Sequence, residues 1–191
     1  MVSIGKSFLT SSGLAIRSRR LISTIVSPIP GISALKGGTT GFDGFKKVKG
    51  GMVSVLVNQT GAHLTCTVFP ANMHDTQAYK PTLDAFTIPE ASKSPATISA
   101  DAAYDARNIR QYNRNRGIRS NIPANRRFRR LQNERSFWFD QELYKERNAI
   151  ERFFGWIEAL KKITPRYERY ETSFLGLIHL ACAIMIWRIM G

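Results

Sequence analysis

Residues 52–71, MVSVLVNQTGAHLTCTVFPA, constrain the fold more than any other stretch. Two runs rich in Val, Leu and Thr flank the polar, glycine-bearing segment Asn58–Gly61, which is the pattern of a β-hairpin. The downstream segments alternate in type. HDTQAYKPTLDAF reads as a short helix that Pro81 weakens. ATISAD is a buried strand ending in a carboxylate, and ARNIRQYNRNRG is a helix stopped by Gly117. IRSNIP is a short strand, and the chain closes with helices over 144–158 and near 172–189. Upstream, the β-branched LISTIVS (21–27) supplies one more strand. Such alternation predicts an α/β fold, a mixed sheet with helices packed on it.

The chain has 191 residues, enough for one domain with a real core. Its 28 Lys and Arg against 14 Asp and Glu leave a net charge of +14. A polyanionic partner is the simplest reading, with nucleic acid ahead of a membrane surface. Nine arginines lie between Asp101 and Leu131: Arg107, Arg110, Arg114, Arg116, Arg119, Arg126, Arg127, Arg129 and Arg130. Singly, each is a solvated surface residue; as a cluster they suit phosphate. RRM, KH and CxxC signatures are missing, which counts against an RNA-binding reading.

Cys66 and Cys182 sit in apolar sequence without ligand spacing and read as buried, reduced thiols in a cytosolic protein. The three histidines are too scattered in sequence for a zinc site. Asn58-Gln59-Thr60 matches a glycosylation sequon but reads as a turn. The apolar run 174–190 contains His179 and Arg188 and falls short of the roughly 20 residues of a membrane span, so a buried terminal helix is expected. The first 42 residues carry no acid and hold Lys6, Arg17, Arg19, Arg20 and Lys36. A transit peptide, a basic tail touching DNA, and a segment foreign to the fold all have this composition.

Two carboxylates stand out. Asp101 closes the strand TISAD, where functional groups of open α/β sheets gather; its plain structural role is to cap the next helix. Glu151 lies on the 144–158 helix, with Tyr144 and Arg147 spaced to share its side. A surface ion pair with Arg147 or Arg152 is the plain reading of Glu151. Paired carboxylates also suit Mg²⁺ or Mn²⁺, which take hard oxygen ligands and leave positions for phosphate.

At this point the chain resembles the DDE transposases of bacterial insertion sequences, whose core is ribonuclease H-like. Four blocks carry the resemblance: KGGTTGFDGFKKVKG (36–50), LVNQTGAHLTCTVFPANMHDTQAYKPTLD (56–84), ISADAAYDARNIRQYNRNRGIRSNIPANRR (98–127) and RNAIERFFGWIEALKKITPRYERYETSFLGLIHLACAIMIWR (147–188). The group's signature is Tyr, two residues, Arg, three residues, Glu, six residues, Lys. Tyr144, Arg147 and Glu151 match it, whereas Glu158 takes the Lys position and Lys161 and Lys162 are the nearest lysines.

The resemblance implies a ribonuclease H-like mixed sheet flanked by helices over 31–191, after an irregular basic segment 1–30 with a strand at 21–27. It implies that Asp101 and Glu151 are the second and third ligands of catalytic Mg²⁺ or Mn²⁺. Arg147 would orient Glu151 or touch DNA, and Tyr144, Arg126, Arg127, Lys161 and Lys162 join the DNA contacts. The position of the first Asp falls on Ser27 by counting back from Gly37–Gly38. Asn58 stands where relatives often carry Asp, a change read as structural.

The resulting expectation is a truncated or frame-disrupted transposase that lacks its first carboxylate. It would act on transposon ends and target DNA, as a homodimer or multimer, in the bacterial cytoplasm at the nucleoid, with no membrane partner. The alternative is an inactive basic DNA-binding remnant. Phe153, Phe154 and Trp156 are expected to lock the Glu151 helix to the sheet.

Overall fold

In a computed structural model of the chain, the described residues are 20–30, 40–44, 47–86, 96–125, 137–160, 163, 168 and 170–190. Strand β1 is Arg20–Pro30, β2 Gly41–Asp43, β3 Val48–Asn58 and β4 His63–Pro70. Helix α1 (Asp75–Asp84) leads to β5 (Ala96–Ser99), α2 (Arg107–Asn115) and β6 (Ile118–Asn121). The chain then forms α3 (Gln141–Lys145), α4 (Asn148–Ala159) and α5 (Glu171–Met190).

All six strands join one mixed sheet. Its order is β3-β1-β5-β6, with β2 and β4 both pairing β3. β1 runs antiparallel to β3 and parallel to β5, and β5 runs parallel to β6 through α2. This is the ribonuclease H-like α/β arrangement. The strand anticipated at 21–27 extends over Arg20–Pro30 and lies between β3 and β5.

Alternation along β3 divides the core in two. Val53, Val55 and Val57 face α4 and α5, together with Cys66 and Val68 of β4. Met52 and Leu56 face the opposite layer, with Tyr79 and Leu83 of α1 and Ile109 of α2. Helices on both faces bury the period-2 pattern that made these strands legible. Ser54, Thr67 and Thr82 interrupt the apolar layer but satisfy one another: Thr82 Oγ1 donates to Ser54 Oγ at 2.7 Å and lies 2.7 Å from Thr67 Oγ1. Both cysteines are free and buried, as anticipated, and burial pushes the Cys66 thiol up to about 12.

The hairpin turn is organised by Asn58. Its Oδ1 accepts from Thr60 N–H at 3.0 Å, Thr60 O–H at 2.7 Å and Ala62 N–H at 2.9 Å. Asn58 is therefore the acceptor that closes the turn. Gly61 has φ +88°, and a Cβ there would meet the Ala149 carbonyl at 3.4 Å, so this turn abuts the start of α4.

Three expectations need correction. The single helix over 144–158 is two helices. Between α3 and α4 the bonds shorten to i→i+3, with Arg147 N–H to Tyr144 O at 3.1 Å and Ile150 N–H to Arg147 O at 2.9 Å. Trp156 does not lock α4 to the sheet: it is 43% exposed, under the Arg188 guanidinium, while Phe153 and Phe154 are buried as expected. Helix α5 is buried on one face only. Phe174, Ile178, Ala181, Cys182 and Met185 enter the core, whereas Leu180, Ile184 and Trp187 are exposed. By length and composition, Glu171–Arg188 is apolar enough to cross a membrane.

Candidate active site

β5 and β6 end together, while β1 runs on past them to Pro30. Ser99 of β5 pairs with Ile22 of β1 on one side and Asn121 of β6 on the other. Asp101 follows two residues later, exposed, with its Oδ1 accepting the Ala102 N–H at 2.6 Å. It caps the single 3-10 turn Ala102–Tyr104. The plain capping role thus holds, and it occupies one carboxylate oxygen.

Asn121 brings the next part of the chain to this edge. Its buried amide donates to Ser99 Oγ at 3.1 Å and to the Asp140 carbonyl at 3.0 Å, and accepts the Asp140 N–H at 2.8 Å. Asp140 in turn caps α3, accepting the Leu143 N–H at 3.0 Å. Tyr144, one turn on, stands near Asp101. Partial burial raises its phenol pKa, the Asp101 charge raises it further, and Arg147 opposes both. The Arg147 guanidinium lies 5.8 Å from the Tyr144 ring centroid and 3.2 Å from Glu151 Oε1. Arg147 thus links Tyr144 to Glu151 across the break in the helix, and Tyr144 is the member of that trio that feels the Asp101 charge.

The donor set suits a hard cation. Two carboxylates, both exposed, keep Oδ2 of Asp101 and Oε2 of Glu151 without a hydrogen bond among the described residues. Mg²⁺ is commonly held by one or two carboxylates plus substrate phosphate. Among the described residues no group of three or more His, Cys, Asp or Glu is arranged for a metal.

β1 contributes no acid. Ser27 lies in the irregular stretch between Ile25 and Pro28, where the register with β3 shifts by one residue. Continuing the Ile22–Ser99 register by two residues brings Thr24 level with Asp101. Asp43, on β2, is separated from β5 by β3 and β1, about 14 Å at 4.8 Å per strand.

The arginine cluster divides by role. Arg110 pairs with Asp105 at 2.8 Å and donates to the Ile122 carbonyl at 2.8 Å. Arg116 joins the Leu83 carbonyl at 2.8 Å, Asp84 at 3.0 Å and Tyr112 at 2.9 Å. Arg116 ties α2 to the end of α1, Arg110 ties α2 to the segments before it and after β6, and the charge of both is largely spent. Arg107, Arg114 and Arg119 are exposed. Arg126, Arg127, Arg129, Arg130, Lys161 and Lys162 lie outside the described residues. Glu158, at the signature's Lys position, is exposed on α4. Sequence reasoning missed the roles of Asn121 and Asp140; Asn121 falls within the 98–127 block without standing out there, and Asp140 falls in none of the four blocks.

A ribonuclease H-like sheet with Asp101 just past the end of β5, and the arginine-rich helix α2 beside it, is an arrangement suited to a nucleic-acid partner. The chain belongs to the transposase DDE domain family, whose model matches residues 22–186. It is also 40% identical, over 96 residues, to a protein named as a transposase for insertion sequence element IS6501 in Brucella ovis (strain ATCC 25840 / 63/290 / NCTC 10512). The match covers 50% of this chain and 69% of that relative. The family is one of DNA-transposing enzymes, and it generally uses divalent metal ions.

Proposed function

We propose that the chain carries the DNA-strand-cleaving centre of an insertion-sequence transposase in which Asp101 and Glu151 are the surviving metal ligands. The carrying observation is that Tyr144, in electrostatic reach of Asp101, also neighbours the Arg147–Glu151 pair. Mg²⁺ or Mn²⁺ bound here would supply positive charge to the scissile phosphate and activate the attacking hydroxyl. Arg147 holds the Glu151 carboxylate in place, and Tyr144 lines the edge along which the strand lies. Free arginines of α2 and β6 position the DNA backbone without reading its sequence. Hydrolysis at a transposon end would precede attack of the freed 3′-hydroxyl on target DNA, with two copies of the chain acting together at the bacterial nucleoid.

The missing ligand belongs to β1. The register ranks Ile22 and Thr24 ahead of Ser27, which is three residues beyond Thr24, about 10 Å of extended strand. The test is Mn²⁺-dependent nicking of supercoiled plasmid by the natural chain and by Ile22→Asp, Thr24→Asp and Ser27→Asp. We expect little nicking by the natural chain and recovery in an Asp variant at position 22 or 24, abolished again by adding Glu151→Gln. Recovery only in Ser27→Asp would refute the register argument. Silence from every variant, with DNA binding retained, would favour a non-catalytic binding remnant. That second reading draws on the absence of any acid from β1.

A further inference from the structure

A cleft of about 390 Å³ opens beside β6, the terminal strand of the sheet path, and no acidic residue lines it among the described residues. Arg114, Arg119, Phe137 and Trp138 are among its walls, with Ile118 in the lining. Arg119 lies over the Trp138 ring, 4.9 Å from its centroid, and Arg110 over Phe137 at 4.2 Å. Arg110 is neutralised by Asp105, so it serves to hold Phe137. Arg114 and Arg119 pair with no carboxylate among the described residues. Trp138 is 43% exposed and Phe139 40%, side by side in sequence.

Large rings left in water beside unpaired guanidinium groups match a ligand with both a planar apolar face and a negative charge. A nucleotide with an unpaired base has that chemistry. Bases inside a duplex do not present their faces, and a duplex backbone gains nothing from a ring. The cleft is also connected to the carboxylate edge. Trp138 is two residues from Asp140, which Asn121 binds at the Ser99 end of the sheet. Phe139 then meets Tyr144 at 5.4 Å between centroids, and Tyr144 stands near Asp101. Three aromatic side chains thus lead from the cleft to the site.

We infer that this cleft binds an unpaired nucleotide of single-stranded DNA, stacking its base on Trp138 and holding its phosphate with Arg114 and Arg119. The inference rests on the DNA-handling reading above, but its test needs neither metal nor cleavage. Fluorescence anisotropy with the full chain would compare a labelled oligothymidylate with an abasic strand of equal length and charge. One stacked base is worth about 1–3 kcal/mol, so a preference of about tenfold for the thymidylate strand is expected. Trp138→Ala and Trp138→Leu should erase that preference, and Trp138→Phe should keep most of it. Equal binding of the two strands, or a preference that survives Trp138→Leu in a folded variant, would overturn the inference. So would displacement of the strand by an acidic peptide of matched charge as readily as by unlabelled oligothymidylate. A chain that never nicks plasmid yet shows the preference keeps this site; one that nicks without it loses the site alone.

Discussion

At the scale of the single residue, His63 is a partly buried imidazole whose charge state is coupled to folding. It opens β4 and meets α5, with its ring 5.9 Å from that of His179 and its Nδ1 buried without a hydrogen bond among the described residues. Burial, reinforced by His179, lowers its pKa from 6.5 to about 4. The folded state therefore holds neutral His63 where the unfolded chain already takes up a proton. Its stability is intact above pH 6.5 and is lost as pH falls towards 4. Between pH 7.5 and 5 the loss attributable to this side chain is about 2 kcal/mol, taking 1.36 kcal/mol per unit. Urea denaturation at both pH values should show that difference in the natural chain and a smaller one in His63→Leu. Equal pH dependence in the two would mean that the imidazole is solvated in the fold. Nothing in the sequence marks His63 for this role: its partner is 116 positions away (63 to 179), and only the β4–α5 packing unites them.

At the scale of elements, the decisive junction is the one between β6 and the start of α3. Asn121 is fully buried and makes three hydrogen bonds there. Asn121→Leu would leave the Asp140 N–H and carbonyl without their partner, at a cost of about 2–4 kcal/mol. Hydrogen exchange should report the loss locally, with α3 amides deprotected well before those of β3. Uniform loss across both elements would show that α3 is not docked independently. The same junction explains what the sequence could reveal. Strands β3 and β4 were legible because alternating burial imposes a local period, and Gly117 because a φ of +67° demands glycine. The break between α3 and α4 was not. No Pro or Gly lies at 146–147; α3 is fixed by Asn121 to β6, while α4 is fixed by its apolar face and by the Asn58–Gly61 turn. One straight helix does not serve two anchors set by tertiary structure. The exposure of Leu180 and Trp187 on α5 was hidden for the opposite reason, since a helix apolar all round does not announce which face is covered. Asp101, Tyr144, Arg147 and Glu151 are singled out in the sequence only through the resemblance, and the spacing of the last three carries no sign of the break between α3 and α4.

At the scale of the whole molecule, a charge of +14 predicts salt-sensitive binding to DNA, but the charge is not uniformly available. Arg116 and Arg107 make the sharpest comparison, because both belong to the same arginine-rich segment. Arg116 is enclosed by the Leu83 carbonyl, Asp84 and Tyr112, and spans the seam between α1 and α2. Arg107 opens α2, exposed, near the 3-10 turn that Asp101 caps. On duplex DNA, removing one arginine–phosphate pairing should reduce the slope of log K against log salt by about 0.9. Arg107→Ala should therefore flatten the slope by about one while leaving the urea midpoint unchanged. Arg116→Ala should do the reverse: the slope holds, and stability falls by about 1–3 kcal/mol as the Leu83 carbonyl and Asp84 lose their donor. Filter binding or anisotropy across a salt series, paired with urea melts, separates the two outcomes. A slope change for Arg116→Ala at unchanged stability would mean that this arginine leaves its ties to meet DNA, and that the α1–α2 seam is part of the binding surface rather than its support.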